Sequence, residues 1–118
     1  MAEFHKLTAA DDVAPGEIQQ YLVEDRFVAL CNVEGEFHAF EDICTHQFTH
    51  LSEGEFSDAQ VTCPLHGAKF DVKTGAAKSL PAVKPVPKHE VKVENGNVYV
   101  ALNPKRVKVA GRRGRRRR

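Results

Sequence analysis

The stretch CTHQFTHLSEGEFSDAQVTCPLH, residues 44–66, begins and ends with a cysteine that is closely followed by a histidine. The first motif is Cys44-Thr45-His46, the second is Cys63-Pro64-Leu65-His66, and the sixteen residues 47–62 separate them. Each motif supplies one thiolate and one imidazole donor from a loop that follows a predicted strand. Four soft or borderline donors gathered by one fold make a metal site. We therefore predict that Cys44, His46, Cys63 and His66 bind metal together.

The donor set leaves two kinds of metal site open. Two cysteines and two histidines can enclose a structural zinc ion. Zinc fingers, however, usually present a Cys–Cys pair followed by a His–His pair, whereas each loop here supplies one cysteine and one histidine. That mixed order is typical of a binuclear [2Fe–2S] cluster in which two thiolates hold one iron and two imidazoles hold the other. The residues favour the iron–sulfur cluster and leave a zinc-stabilised binding module as the alternative.

Outward from this stretch, the chain consists of short apolar, β-branched or aromatic segments divided by turn residues. An Asn95-Gly96 pair between two such segments favours a type I′ hairpin. Its 118 residues suffice for about one domain. The pattern predicts an antiparallel all-β domain, a sandwich or a partly open barrel. The predicted strands cover residues 17–23, 26–33, 36–40, 60–62, 68–72, 92–94 and 98–100.

Signals for helix, membrane insertion and secretion are weak along the chain. One helical turn is predicted around Ala9–Ala14, where Pro15-Gly16 ends it. Three prolines predict an extended, irregular loop over residues 80–88. No apolar run approaches the roughly 18 residues of a membrane span, and the first residues lack the basic and then apolar order of a secretory signal. We expect a cytoplasmic protein that does not bind membranes.

The net charge of +1 conceals a strong asymmetry. Residues 1–104 carry eight basic and sixteen acidic residues, a formal charge of −8, whereas the last fourteen residues carry nine basic residues and no acidic one. Such a charged, Gly-interrupted end predicts a disordered tail over residues 105–118. Because the tail contains no aromatic residue or recognition motif, we do not expect it to bind nucleic acid. The acidic remainder has two interpretations, a surface charge that keeps the protein in solution or a surface for transient docking on basic partners.

The remaining cysteine and histidines have more ordinary interpretations. Cys31 lies in the apolar run Phe27-Val28-Ala29-Leu30-Cys31, which predicts a buried and unreactive thiol. His50 follows His46 by four residues, but a third histidine would upset the two-plus-two ligand count, so we expect a surface residue near the docking face. The other histidines, which we expect to be structural or solvent-facing, are His5, His38 and His89.

The two motifs with their flanking residues are similar to the Rieske motif pair. Cys44-Thr45-His46-Gln47 precedes Leu51-Ser52-Glu53-Gly54, and the second motif continues as Cys63-Pro64-Leu65-His66-Gly67-Ala68-Lys69-Phe70-Asp71. The chain resembles in particular the small Rieske ferredoxins of bacterial aromatic ring-hydroxylating dioxygenases. The resemblance implies one [2Fe–2S] cluster, with Cys44 and Cys63 on the inner iron and His46 and His66 on the outer iron.

The resemblance also implies the domain layout. The Rieske fold is an antiparallel sandwich or barrel base that carries a small cluster-binding subdomain of two loops. The domain would span residues 1–104, and its cluster-binding part would cover about 42–82. Ser79-Leu80-Pro81-Ala82 lies where the proline loop of the family covers the cluster.

The function implied by the resemblance is electron transfer rather than catalysis. Such a ferredoxin receives electrons from an NAD(P)H-dependent ferredoxin reductase and passes them to a terminal Rieske oxygenase. A complete oxygenase needs a much larger catalytic domain than 118 residues can form. A Rieske-like small subunit of a nitrite reductase remains an alternative, because the same four ligands would serve it equally well.

Four positions depart from the Rieske proteins of respiratory complexes. Thr49 and Leu65 stand where those relatives have the cysteines of an extra disulfide, and Ala68 and Phe70 stand where they have a serine and a tyrosine hydroxyl. Donors to cluster and cysteine sulfur stabilise the reduced state, so their absence lowers the reduction potential. We expect a potential near the low end of the Rieske range, at about −150 mV.

Overall fold

The computed structural model describes residues 3–43, 49–64, 67–78 and 86–104. Within these ranges, nine strands and two short 3₁₀ helices, Ala10–Asp12 and Leu51–Glu53, form the fold. No helix in the described part of the chain has the length and apolar character needed to cross a bilayer. Strands are therefore the main regular structure of the described residues, as the sequence pattern predicts.

Six strands form one antiparallel sheet in the order β1-β9-β8-β4-β3-β2, called the base sheet below. Its two edge strands, β1 and β2, contact each other, so the sheet is nearly closed into a barrel. Across this seam, His5 Nε2 lies 3.5 Å from Glu24 Oε2. The bounds are β1 Phe4–Ala9, β2 Ile18–Val23, β3 Arg26–Val33, β4 Glu36–Glu41, β8 Lys88–Glu94 and β9 Asn97–Ala101.

Two tight turns set the register of the base sheet. Asn95 and Gly96 have φ values of 53° and 77°, as the type I′ turn between β8 and β9 requires. Glu34 and Gly35, at 53° and 94°, connect β3 to β4 in the same way. Because these turns match the right-handed twist of the strands, each hairpin pairs without a register shift. The hairpin predicted at Asn95-Gly96 is confirmed.

Three strands of three residues each form a second antiparallel sheet, called the small sheet below, in the order β5-β6-β7. They are β5 Glu55–Ser57, β6 Gln60–Thr62 and β7 Lys69–Asp71. The small sheet and the loops around it lie between β4 and β8 in the sequence. Those two strands pair with each other directly, so the small sheet is an insertion into the base sheet.

Strand β3 separates two apolar cores because it is buried on both faces. Val28 and Leu30 point into the barrel, where they join an inner core with Val23, Val98 and Val100. The alternate residues of β3 point outward into a shared core with the small sheet. Burying one such aliphatic or aromatic side chain contributes about 1.5–3 kcal/mol. The shared core consists of Ala29, Cys31, Phe40, Leu51, Val61, Cys63, Ala68, Phe70, Val72 and Val86.

Most predicted strands lie within one or two residues of the observed ones, and residues 26–33 and 60–62 match in both bounds. The predicted turn around Ala9–Ala14 is the 3₁₀ helix Ala10–Asp12. Strands β1 and β5 were not predicted, because neither has a run of apolar residues. Most of β1 is half-buried at a sheet edge, and β5 has only Phe56 packed on the shared core. The basic tail and most of the predicted 80–88 loop lie outside the described residues.

Candidate metal centre

Cys63 is the one predicted ligand that falls within the described residues. It follows β6 directly, its side chain is 1% exposed, and it takes part in no disulfide. A buried thiol without a disulfide partner, at the start of a loop, is available as a metal ligand. The predictions for Cys44, His46 and His66 concern residues outside the described ranges.

Backbone hydrogen bonds fix the loop that begins at Cys63. The Cys63 N–H donates to Ala68 O at 2.7 Å, and the Gly67 N–H donates to Cys63 O at 3.0 Å. Gly67 has a φ of +77°, a conformation that glycine adopts without the steric cost of a Cβ. The loop therefore starts and ends on adjacent positions of β6 and β7, and Cys63 is held by the backbone independently of its side chain.

The base of the first loop is fixed at Asp42, two residues before Cys44. Asp42 Oδ1 accepts a hydrogen bond from the Ser52 N–H at 2.7 Å. Oδ2 accepts from Ser52 Oγ at 2.5 Å and from Gln20 Nε2 at 2.7 Å. The Asp42 side chain is completely buried. One carboxylate thus joins the residues before and after the first motif to β2 of the base sheet.

His50 lies at the same base, where it binds the main chain. Its Nδ1–H donates to Asp42 O at 3.0 Å, and its ring packs edge-on against Phe27 with the ring centroids 4.9 Å apart. The side chain is half-buried. His50 is therefore only partly exposed, and its Nδ1 is occupied by Asp42 O and cannot also bind a metal; its place near a docking face stays a prediction.

Gly54 brings the residues after the first motif against the start of the second loop. A Cβ placed on Gly54 would lie 1.7 Å from Thr62 O and 3.1 Å from Pro64 Cδ. Thr62 and Pro64 flank Cys63, so the chain after the first loop runs against the backbone that carries this cysteine. The Gly54 φ is −92°, so glycine is needed here for the close approach of two backbones and not for an unusual dihedral angle.

The Cys63 side chain belongs to the apolar shared core. Leu51, Ala68 and Phe70 are each fully buried and belong to the same core as Cys63. Neither Ala68 nor Phe70 offers a hydroxyl group. A thiol in a dry, apolar setting next to two loop bases fits an iron–sulfur cluster, whose potential depends on burial and on the number of donors to sulfur. The residues present thus fit the cluster that the motif predicts.

The buried ionic contacts of the domain lie on the base sheet. Glu41 Oε1 accepts from Arg26 Nη2 at 2.9 Å and lies 3.3 Å from His89 Nε2. Burial alone would raise the Glu41 pKa, but the adjacent His89 side chain and the hydrogen bonds and positive charge of Arg26 outweigh it and lower the pKa. Arg26 Nη1 also donates to Asn103 O at 2.6 Å, and the Asn103 N–H donates to His89 Nδ1 at 2.9 Å. Glu41 therefore ties β3, β4 and β8 to the residues that follow β9.

The remaining histidines and Cys31 have structural positions, as predicted. His38 Nε2 lies 2.9 Å from Glu36 Oε1, and His38 Nδ1 accepts from Lys88 Nζ at 2.9 Å. His89 is buried and His5 lies at the barrel seam. Cys31 is fully buried, and burial raises its pKa to about 12. A thiol with this pKa stays protonated near neutral pH, so the predicted unreactive cysteine is consistent with the structure.

Comparison with known proteins gives the family. A model of the Rieske [2Fe-2S] domain matches residues 3–90. The chain belongs to the Rieske [2Fe–2S] family. The ferredoxin component of biphenyl 2,3-dioxygenase from Rhodococcus jostii (strain RHA1) is 44% identical over 97 residues, which cover 82% of this chain and 91% of the relative. The predicted Rieske fold and the single [2Fe–2S] cluster are thereby confirmed, and the zinc alternative is set aside.

Solved structures agree with this assignment. A chain in the complex of reduced oxygenase and oxidized ferredoxin in carbazole 1,9a-dioxygenase is 40% identical, with a TM-score of 0.79, and the match covers 83% of this chain and 92% of that one. A Mycobacterium tuberculosis protein described as an NADH-dependent nitrite reductase small subunit is 23% identical, with a TM-score of 0.76, over 87% of this chain and 97% of that one. The second likeness shows the fold alone. The relatives in dioxygenase systems are electron-transfer components, and this Rieske protein is likewise an electron carrier and not an enzyme.

Proposed function

We propose that this Rieske protein carries single electrons from an NAD(P)H-dependent ferredoxin reductase to a terminal ring-hydroxylating oxygenase. The observation that carries the proposal is the 44% identity to a dioxygenase ferredoxin over 91% of that relative's length. A 40% identical chain also occurs in a complex of oxygenase and ferredoxin. Because a nicotinamide-dependent reductase works where its coenzyme is abundant, we place the protein in the cytoplasm.

The proposed ligands are Cys44 and Cys63 on the inner iron and His46 and His66 on the outer iron. Cys63 supports this assignment, since it is buried at the start of a loop that its own backbone holds in place. Asp42 supports it on the other loop, because its hydrogen bonds close the segment that contains Cys44 and His46. When bound, the cluster supplies a one-electron redox centre.

A role in nitrite reduction is the weaker proposal. The small-subunit structure that favours it shares 23% identity, which supports the fold and no partner. The ferredoxin chain solved with an oxygenase has nearly the same coverage at 40% identity. The higher identity favours an oxygenase as the electron acceptor.

A first experiment tests the ligands. His46→Ala and His66→Ala should each abolish the rhombic EPR signal of the reduced Rieske cluster. His5→Ala is the matched control, because His5 lies at the barrel seam and contacts Glu24. It should retain both iron and signal. A His66→Ala protein with an unchanged Rieske signal would refute the ligand assignment.

A second experiment tests the partner and the charge asymmetry. We expect the rate of electron transfer to a supplied ring-hydroxylating oxygenase to fall as salt rises, because salt screens charges over about 8–10 Å near physiological ionic strength. The 1–104 protein should keep its cluster and transfer electrons at least as fast, since nine basic residues are removed from an acidic protein. A truncated protein that keeps its cluster but loses transfer would show that the basic tail makes the productive contact.

A further inference from the structure

The Asp42 carboxylate binds two distant parts of the chain, Gln20 and Ser52. Its carboxylate is completely buried and accepts three hydrogen bonds, two from Ser52 and one from Gln20. A buried carboxylate is tolerated only where such bonds replace its lost hydration. All three bonds come from neutral donors. The carboxylate is suited to them because it accepts at both oxygens and donates at neither.

The main chain of Asp42 is bonded as well. Its N–H donates to Phe27 O at 2.9 Å, and its C=O accepts from His50 Nδ1 at 3.0 Å. His50 in turn packs against the ring of Phe27. We call the contacts of Asp42 with Gln20, Phe27, His50 and Ser52 the loop anchor. The loop anchor holds both ends of the segment 43–51 against the base sheet.

We infer that Asp42 is a positioning residue for the iron–sulfur cluster. Its carboxylate joins the residues on either side of the segment that contains Cys44 and His46 to the base sheet, so its removal should disturb the binding of the cluster by these two proposed ligands. This inference rests on the ligand assignment proposed above. Hydrogen-bonded groups behind metal ligands commonly change metal affinity by 10–100-fold when they are removed. A loop with fixed ends also loses less conformational entropy when its ligands bind.

Glu41 provides a matched control one residue away. Its carboxylate is also buried and hydrogen-bonded, but it binds Arg26 and lies beside His89 of the base sheet. Successive residues of an extended chain point to opposite sides, so Glu41 at the end of β4 and Asp42 directly after it serve different regions. The same change from carboxylate to amide at each position therefore separates an effect on the loop from an effect on general stability.

The experiment compares Asp42→Asn with Glu41→Gln, both purified with their clusters. An iron chelator is added at a temperature well below unfolding, and the loss of visible absorbance is followed. We expect Asp42→Asn to lose iron about tenfold faster than the unaltered protein. Its reduced EPR lines should broaden as the ligand geometry becomes heterogeneous. Glu41→Gln should lower the unfolding midpoint measured by far-ultraviolet circular dichroism, while its iron loss and EPR lines stay close to those of the unaltered protein.

A milder variant keeps the test decisive if Asp42→Asn cannot be obtained with a cluster. Ser52→Ala removes the hydroxyl donor to Oδ2 and leaves the Ser52 N–H in place. It should accelerate iron loss about fivefold, as expected for the loss of one hydrogen bond. In the double variant of Asp42→Asn and Ser52→Ala, the two effects should not add, because both changes remove the same contact.

The outcomes distinguish this inference from the proposed function. If Asp42→Asn and Ser52→Ala release iron no faster than Glu41→Gln, the loop anchor does not position the cluster, although the protein remains a Rieske electron carrier. If instead His46→Ala or His66→Ala keeps the Rieske signal, the ligand assignment itself fails.

Discussion

The base sheet and the small sheet are stabilised in different ways. The base sheet has six strands of five to eight residues and encloses its own inner core. The small sheet has three strands of three residues, and its buried side chains pack in a core completed by Ala29, Cys31 and Phe40 of the base sheet. With strands this short, the small sheet depends on that shared core for its stability.

This difference means that substitutions in the two sheets should have different effects. The base sheet is held by many backbone hydrogen bonds and by apolar side chains on alternate positions, so single changes are buffered by their neighbours. The small sheet depends on a few particular contacts: the loop anchor, the close approach at Gly54 and the shared core. We therefore expect changes at those contacts to affect the metal centre far more than comparable changes in the base sheet.

The largest effect is expected from Gly54→Ala. Its Cβ would lie 1.7 Å from Thr62 O, a backbone atom that cannot move without displacing the start of the second loop. We expect a loss of at least about 4 kcal/mol in the small sheet and protein that lacks a cluster, measured as iron and sulfide per chain. The control is Gly35→Ala in the base sheet, where φ is +94° and no atom lies within 4 Å of the Cβ position. It should cost about 1–2 kcal/mol and keep the cluster.

Glu41→Gln tests the base sheet with the second-largest expected effect. The change leaves Arg26 and His89 next to a neutral group, and breaking a buried ion pair costs about 3–5 kcal/mol. Because the folded-state pKa of Glu41 is lowered, its stabilisation is complete above the ordinary glutamate pKa of about 4.3 and is lost as the pH falls through the folded value. The stability difference between the two proteins in urea should therefore be constant near neutral pH and shrink below about pH 4. A difference that grows in acid would contradict the assigned role.

Ala68→Ser and Phe70→Tyr should change the potential while leaving both regions folded. Both residues are fully buried in the core that contains Cys63. A hydroxyl donor near a cluster or cysteine sulfur stabilises the added electron, so we expect each midpoint potential to rise from the low end of the Rieske range. Protein-film voltammetry measures the shift. An intact cluster with an unchanged potential would show that these side chains do not face sulfur.

The smallest effect is expected at Cys31, which faces the shared core from the base sheet. Because burial raises its pKa to about 12, the folded protein should show no iodoacetamide modification of Cys31 at pH 8. In urea the same residue should react fully, as peptide mass spectrometry can determine. Labelling of the folded protein would mean that the shared core opens, and that the small sheet separates from the base sheet more easily than its packing indicates.

The base sheet was largely predictable from the sequence because its signals are local. The predicted strand 26–33 contains the continuous apolar run 27–31, as a strand buried on both faces should. Asn95 and Gly96 both adopt positive φ values readily, which the type I′ turn requires. Strand β1 has no such signal, since its register depends on pairing with β9 and only Leu7 packs on the inner core.

The sequence predicted the ligands of the metal centre, but it did not predict the hydrogen bonds and close contacts that hold the loops in place. The two Cys/His motifs are read directly from residue types and spacing. Asp42 could not be recognised in this way, because Gln20 and Ser52 are 22 and 10 residues away, and hydrogen bonds of this kind leave no periodic pattern. The role of Gly54 is equally invisible in the sequence, since it depends on a backbone atom of Thr62.

The direct pairing of β4 with β8 also has a consequence for the order of folding. Phe40 pairs with Lys88 across the whole inserted segment 41–87, whereas β2 with β3, β3 with β4 and β8 with β9 are joined by tight turns. Closing a long flexible loop costs entropy that grows with its length and slows folding. The local hairpins can therefore form first, and the two long-range pairings, β4 with β8 and β1 with β9, should form late. Iron binding during assembly would shorten the effective loop, so maturation of the metal centre and closure of the barrel should accelerate one another.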